Sequence, residues 1–493
     1  MKRKRKPNIV FIMADDMGYG DVGCYNPKSK IPTPRMDRLA EQGVRMTCAH
    51  SPSSVCTPTR YGVLTGRYCW RTWLKQGVVG GYTPPLIEPP RPTVASLLRK
   101  RGYATACIGK WHLGLGWTRS SGFVATWKDA RDHFNGSWQD GDPKAGMDVD
   151  FTQPIHGGPT ELGFDYAWYT AACSTIDGPF CYIENDRTVG IPDRPIRVDE
   201  SRPADLRPRP GWVAPGFDLE TVDPTFTEKA VAFIERTRAR RPRRPFFLYL
   251  ALSAPHAPWL PPEFVQGASR AGPRGDQVVL VDWCVGRIAD ALERLGLADE
   301  TLLIVTSDNG PRHGVSGHRS AGELRGYKSH VWEGGHRVAF IARWPGRIEP
   351  GTVSDEPICL TDLTATCAGL VGAKLPEGAA PDSYDVLPAM VGDPSVGVAA
   401  GRPIREAIVS HSVFGVFTIQ QGPWKLIVEC RNSGGWVAPR GTGPKSGSAG
   451  QLYHMRADPR ERYNVFGEHP RIVSRLTKLL EKYKQQGRSA ARS

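Results

Sequence analysis

The chain runs to 493 residues, past the size at which a single hydrophobic core stops growing, so one large domain with a smaller companion is expected. With 40% hydrophobic residues, 23% charged residues and 14 tryptophans it has the composition of an ordinary globular protein rather than a disordered tail, and no run approaches the ~18 apolar residues of a membrane-spanning helix. A net charge of +14 favours polyanions, whether nucleic acid, anionic membrane or sulfated glycan; it does not choose among them, and a generally basic solvated surface accounts for it equally well.

Residues Met1 to Lys6 carry the charge of a signal-peptide start, but the apolar run 9–14 is too short for its core and meets Asp15 and Asp16 at once. The expectation is a periplasmic or secreted protein if a native export signal has been removed, and otherwise one that stays inside. Short apolar runs rich in Val, Ile and Phe predict strands at 8–13, 103–108, 245–252, 301–306 and 337–343. Helical patterns fall at 34–42, 93–101 and 277–295, the last with Val281, Cys284, Val285, Ile288, Ala289 and Leu292 at helical spacing and Gly296 as its stop. The Arg-rich stretch 236–245 is expected in a loop. Such alternation predicts an α/β sheet covered by helices on both faces.

Each of the first four strands is followed by polar groups: Asp15 and Asp16, Lys110 and His112, His256, and Asp308 with Asn309. Ligands of open α/β sheets bind beyond the carboxyl ends of the strands, so these groups are expected to meet at one edge. Downstream, a Gly/Pro/Asp-rich stretch over 372–403 precedes an antiparallel pattern at 407–428, with a turn near 421–423, and an amphipathic helix at 471–484. The expected division is a large domain over 1–375, a linker over 376–403 and a small α+β domain over 404–493.

Asp15, Asp16, Asp308 and Asn309 offer several oxygen ligands to a hard cation, and with no His or Cys cluster nearby the set suits calcium or magnesium better than zinc. Taken singly, each pair is an ordinary turn. Eleven cysteines without CxxC spacing argue against a zinc site or a dense disulfide framework, and Cys173 and Cys181 are merely close enough to be candidates for a pair. His50, His313, His318 and His336 are left unassigned except as candidate substrate contacts.

The most specific element is Ser53-Ser54-Val55-Cys56-Thr57-Pro58-Thr59-Arg60 followed by Leu64-Thr65-Gly66-Arg67. Alone, Cys56 would read as a small buried hydrophobe. Cys-x-Pro-x-Arg with the trailing Leu-Thr-Gly-Arg resembles the sulfatase signature, and the resemblance continues in order over 7–17, 109–113, 253–262, 307–311 and 324–346. It implies an alkaline-phosphatase-like α/β fold, with a large mixed central sheet flanked by helices and a smaller C-terminal α+β domain. It implies one calcium ion and oxidation of Cys56 to formylglycine by a formylglycine-generating enzyme. The aldehyde hydrate would offer two hydroxyls, one to attack sulfur and one to expel sulfate afterwards, so that no water need attack sulfur.

By the same resemblance Asp15, Asp16, residue 56, Asp308 and Asn309 hold the metal, while Arg60, Lys110 and Lys328 meet the negative charge of the sulfate. His112 would hold the hydrate and His256 would protonate the leaving oxygen. The segments 149–151, 157–159, 163–166, 174–179 and 183–187 resemble bacterial members acting on 6-O-sulfated galactose-type or N-acetylgalactosamine sugars, with Asp177 as a candidate for binding substrate hydroxyls. The implied activity is sulfate-ester hydrolysis, exo-acting on a sulfated saccharide, with no nucleic-acid partner and no membrane span. A phosphomonoesterase or phosphonate hydrolase on the same fold, and a non-catalytic binder of sulfated glycans, are the alternatives.

Overall fold

The strand Asn8–Ala14 (β1) is buried along its whole length, and its residues alternate between two cores: Ile9, Phe11 and Met13 in one, Val10, Ile12 and Ala14 in the other. A strand with apolar side chains on both faces is satisfied only between two covering layers. In the computed structural model, which describes residues 6–133, 144–312, 317–428, 433–436 and 449–491, this strand lies inside a ten-stranded mixed sheet. The basic start at 1–5 and His313 lie outside the described residues.

In chain order the further strands of the sheet are Val44–Met46 (β2), Ala104–Lys110 (β3), Tyr166–Thr170 (β4), Tyr182–Glu184 (β5), Arg187–Val189 (β6), Phe246–Ala251 (β7), Thr301–Ser307 (β8), Phe340–Arg343 (β9) and Thr352–Ser354 (β10). Their spatial order is β10, β2, β9, β8, β1, β7, β3, β4, β5, β6. The block from β8 to β4 is parallel, and antiparallel β9 and β5 flank it. Register levels the carboxyl ends: Ala14 lies opposite Ser307, and Ala251 opposite Gly109.

The helices are Pro34–Glu41 (α1), Cys56–Thr65 (α2), Val94–Lys100 (α3), Val222–Arg240 (α4), Gly272–Arg294 (α5) and Leu363–Leu370 (α6). Apolar residues of α1, α4 and α5 pack on one face of the sheet, and those of α2, α3 and α6 on the other. Thr93 caps α3 with a reciprocal pair of hydrogen bonds to Ser96, both 3.0 Å.

Three elements depart from the sequence reading. Residues 236–240, expected in a loop, form the end of α4, which buries Phe226, Ala230, Phe233 and Ile234; its basic last turn suits a helix C-terminus, and the Arg236 guanidinium lies 4.8 Å over the Tyr166 ring. Helix α5 starts at Gly272, ahead of the predicted 277. Pro273 belongs in a first turn, and Gly275 is required because a Cβ there would meet Ser269 Oγ at 2.4 Å. The strand predicted from 337 begins at Phe340, since 333–336 form a helical turn whose Glu333 accepts from Arg337 Nε at 2.7 Å.

The C-terminal part is a four-stranded antiparallel sheet of Ile408–His411 (β11), Phe417–Gln421 (β12), Trp424–Ile427 (β13) and Gln451–His454 (β14), with helix Pro470–Gln485 (α7). Leu476, Leu479, Leu480 and Tyr483 of α7 pack with Val409, Ile419, Leu426 and Leu452 and with Tyr68 and Trp70 of the large domain. Residues between the two parts are built into the seam: Asp382 accepts from Tyr68 N at 3.0 Å and Arg71 Nε at 2.8 Å, and Val386 and Met390 join the large core. On the other side of the seam Lys425 Nζ donates to Glu333 Oε1 at 2.9 Å and to His336 Nε2 at 3.0 Å, and lies 2.8 Å from Glu461 Oε1.

Candidate active site

Cys56 is the first residue of α2, a helix whose ten residues are all buried. The dipole of that helix end favours negative charge at residue 56, but contact with Cys173, burial and the Asp15 charge outweigh it and push the thiol well up. The carboxyl ends of four strands converge on it. Cys56 Sγ lies 3.6 Å from Asp15 Oδ1, beyond β1, and Lys328 Nζ donates to it at 3.4 Å. Asp16, held at a φ of 65°, accepts from Lys328 Nζ at 2.8 Å and from Asn309 Nδ2 at 2.7 Å. Arg60, one turn into α2, donates to Asp308 Oδ2 at 2.8 Å, to Asp15 Oδ2 at 3.2 Å and to the Lys110 carbonyl at 3.1 Å. Lys110 Nζ is paired with Asp15 Oδ2.

Two histidines face the thiol. His112, at a φ of 56°, donates through Nε2 to Val79 O at 2.7 Å, which leaves Nδ1 as an acceptor. His256 donates through Nδ1 to Ala257 O at 2.6 Å, and its Nε2 lies 3.8 Å from Asp16 Oδ2. The loop that carries His256 is tied down by Asp223 of α4, which accepts from Ser253 N at 2.7 Å and Ala254 N at 3.0 Å.

So many charges can share a dry site only by compensating one another. Burial alone would raise the Asp15 carboxyl, but Lys110, His256, Arg60 and Lys328 together hold it well below the usual range. Burial and the Asp15 charge push Asp308 up to about 6, and burial also raises Asp16. Burial, reinforced by the Lys328 ammonium, drives the His256 imidazole well down; burial and Lys110 lower His112. Three carboxylates with Asn309 Oδ1, a buried oxygen without a hydrogen-bond donor among the described residues, form an oxygen-rich cradle suited to a hard cation. Asp15, Asp16, Cys56 and His256 each bring a ligand atom within 4.8 Å of the others.

Above the cluster opens a cleft of about 230 Å³ lined by Cys56, His112, His256, Lys328 and Asp177. Asp177 reaches its rim and accepts from Arg209 at 2.7 Å. No sequence signal marked Cys173, Arg209, Arg312 or Trp436, which line the cleft together with apolar Val55, Val78 and Ile176. The candidate pair Cys173–Cys181 is corrected, since both thiols are free. Cys173 Sγ turns into the site, 3.1 Å from Lys110 Nζ and 3.8 Å from His256 Nε2, whereas Cys181 packs in the large core. Of the unassigned histidines, His318 pairs with Asp21, and His50 and His336 meet at the domain seam.

The family model described as Sulfatase matches residues 7–373. The chain belongs to the sulfatase family. It is 34% identical to an N-acetylgalactosamine-6-O-sulfatase of Bacteroides thetaiotaomicron over 98% of this chain and 94% of that one. To arylsulfatase A of Homo sapiens it is 33% identical over 96% and 87% of the two chains. A solved structure whose title concerns metabolism of multiple glycosaminoglycans by Bacteroides thetaiotaomicron superposes with a TM-score of 0.81 at 32% identity, covering 98% of this chain and 100% of that one.

This sulfatase is thus a sulfuric ester hydrolase on the alkaline-phosphatase-like fold that its sequence implied. Among the described residues no helix is long and apolar enough to cross a membrane.

Proposed function

We propose that the enzyme removes the 6-sulfate from a galactose-type or N-acetylgalactosamine unit at the end of a sulfated saccharide, with residue 56 matured to formylglycine and one calcium ion in the carboxylate cradle. The observation that carries this reading is the position of Cys56 Sγ at the floor of a small cleft, between Lys328 Nζ at 3.4 Å and Asp15 Oδ1 at 3.6 Å. The relative named for N-acetylgalactosamine-6-O-sulfate supports the sugar and the position. A cleft of about 230 Å³ has room for little more than one sugar ring, which supports exo action. Sulfated polysaccharides are met outside the cytoplasm, which favours a periplasmic or secreted enzyme matured by a formylglycine-generating partner.

In this reading the hydrated aldehyde supplies a nucleophilic hydroxyl and a second hydroxyl whose deprotonation releases sulfate. Lys110, Lys328 and Arg60 bring fixed positive charge to the sulfate oxygens, with no reorganisation at the moment of reaction. His112 accepts a hydroxyl hydrogen through Nδ1, because Val79 O fixes its proton on Nε2. Burial and Lys328 keep the imidazole of His256 neutral in the free cleft. An incoming sulfate ester adds an anion beside Nε2, the direction needed for that nitrogen to carry a proton to the leaving oxygen. Asp177, fixed by Arg209, accepts from sugar hydroxyls at the rim.

Asp15, Asp16, Asp308, Asn309 and residue 56 would hold the cation, which supplies Lewis-acid polarisation when bound. Titrating calcium into metal-stripped enzyme should raise the thermal midpoint; at 100 times the dissociation constant the gain is about 2.7 kcal/mol. An unmoved midpoint would remove the metal from the proposal.

The maturation test is the mass of the tryptic peptide from Met46 to Arg60, which holds Cys48 as an internal control. Cys56 should have lost its sulfur and read as the aldehyde or its hydrate, while Cys48 alkylates. If both alkylate after co-expression with a maturation enzyme, the formylglycine mechanism fails.

A further inference from the structure

Trp436 is 47% exposed, lies in the C-terminal part of the chain, and lines the same cleft as Cys56. Its backbone is braced against the loop that carries Lys328. Trp436 N donates to Ser329 Oγ at 3.1 Å, and Val331 N donates to Ser433 O at 3.1 Å. Gly435 lies so close to that loop that a Cβ on it would fall 1.7 Å from His330 Cδ2, and Gly434 adopts a φ of 65° to make the turn. Only glycines allow this approach, and the result is an aromatic residue whose backbone is tied to the Lys328 loop while its side chain is half open to solvent. A large apolar group left exposed at the rim of a cleft, and held there by its backbone, has the character of a contact surface rather than of packing.

The polar groups near it are matched in sign. Arg312, which also lines the cleft, lies 2.5 Å from Asp205, and Arg209 lies 2.7 Å from Asp177. An arginine already neutralised by a carboxylate is poorly suited to hold a second anion. An Arg–Asp pair instead presents a donor and an acceptor side by side, which is the pattern of a sugar hydroxyl.

Resting on the saccharide reading above, we propose that Trp436 is the platform for the apolar C–H face of the leaving sugar. The Asp205–Arg312 pair serves its hydroxyls, and the site takes an otherwise neutral sugar whose sulfate is its only anion. The C-terminal domain then contributes the apolar part of sugar recognition, while the groups that meet the hydroxyls and the sulfate belong to the large domain.

Steady-state kinetics of the mature full-length enzyme test this, using N-acetylgalactosamine 6-sulfate as substrate and inorganic sulfate as competing inhibitor. Trp436→Ala should raise KM for the sugar sulfate about tenfold or more with kcat little changed. The inhibition constant of inorganic sulfate should stay within about twofold, because sulfate alone never touches the platform. Trp436→Phe should recover most of the loss, and a second sulfate on the same sugar should lower kcat/KM in the unaltered enzyme. An unchanged KM in Trp436→Ala, an equal loss in sulfate inhibition, or a preference for the disulfated sugar overturns the inference alone. Wild-type enzyme that cleaves 4-nitrophenyl sulfate but no sulfated sugar brings down the saccharide reading and this inference with it.

Discussion

Replacing Cys56 by alanine is expected to lower sulfate-ester hydrolysis by about 10⁴-fold or more while the protein still folds. The two halves of that expectation rest on different observations. Alanine removes the only atoms of residue 56 from which a nucleophilic hydroxyl could be made, so nothing at the floor of the cleft replaces it. Stability is little affected, because the charged neighbours keep their partners: Asp15 retains Arg60 and Lys110, and Asp16 retains Lys328 and Asn309. Truncating the buried side chain of residue 56 to a methyl group should cost about 1 kcal/mol. Cys56→Ser sharpens the test. A single hydroxyl can attack sulfur but has no second hydroxyl to expel sulfate, so that variant should stop after at most one turnover with one sulfuryl group attached. Rates on 4-nitrophenyl sulfate, run beside thermal unfolding, decide the matter. Activity within about tenfold of wild type in Cys56→Ala would end the nucleophile assignment.

What could be read from the sequence follows from where each signal lies. Strands β1, β3, β7 and β8 are continuous apolar runs because both faces of the sheet are covered, and the polar residues at their ends stand out against that background. Asp15, Lys110, His256 and Asp308 are therefore gathered to one edge by the sequence pattern alone. Cys173, Arg312 and Trp436 are not. They sit on irregular segments whose path is set by tertiary packing, and nothing in the sequence near them has a period. Helix α4 is hidden because its basic last turn has the composition of a loop, although Phe226, Ala230, Phe233 and Ile234 lie at helical spacing upstream. The antiparallel C-terminal sheet was visible as a change of pattern, but the depth of its seam with the rest was not, since a buried residue such as Asp382 finds its partners at Tyr68 and Arg71, more than 300 positions away.

That seam carries the second large expectation, that Lys425→Met will destabilise the enzyme by about 3–5 kcal/mol. Lys425, Glu333 and Glu461 are fully buried, and the ammonium lies 2.9 Å from one carboxylate and 2.8 Å from the other. Burial and the Glu333 charge already push Glu461 up to about 7 with the lysine in place. Without it two buried carboxylates would face each other, relieved on one side only by Arg337. Glu461 Oε2 also accepts from Glu333 N at 2.7 Å, and Ser329 O accepts from Val413 N at 3.2 Å, so loops of the C-terminal part brace both ends of the segment that presents Lys328. Activity should therefore fall at temperatures where the variant is still folded, because Lys328 loses its support before the chain unfolds. Adding Glu461→Gln to Lys425→Met should restore part of the stability by removing one of the stranded charges. A single variant whose unfolding midpoint and kcat both match wild type would show that the network neither joins the domains nor positions the lysine.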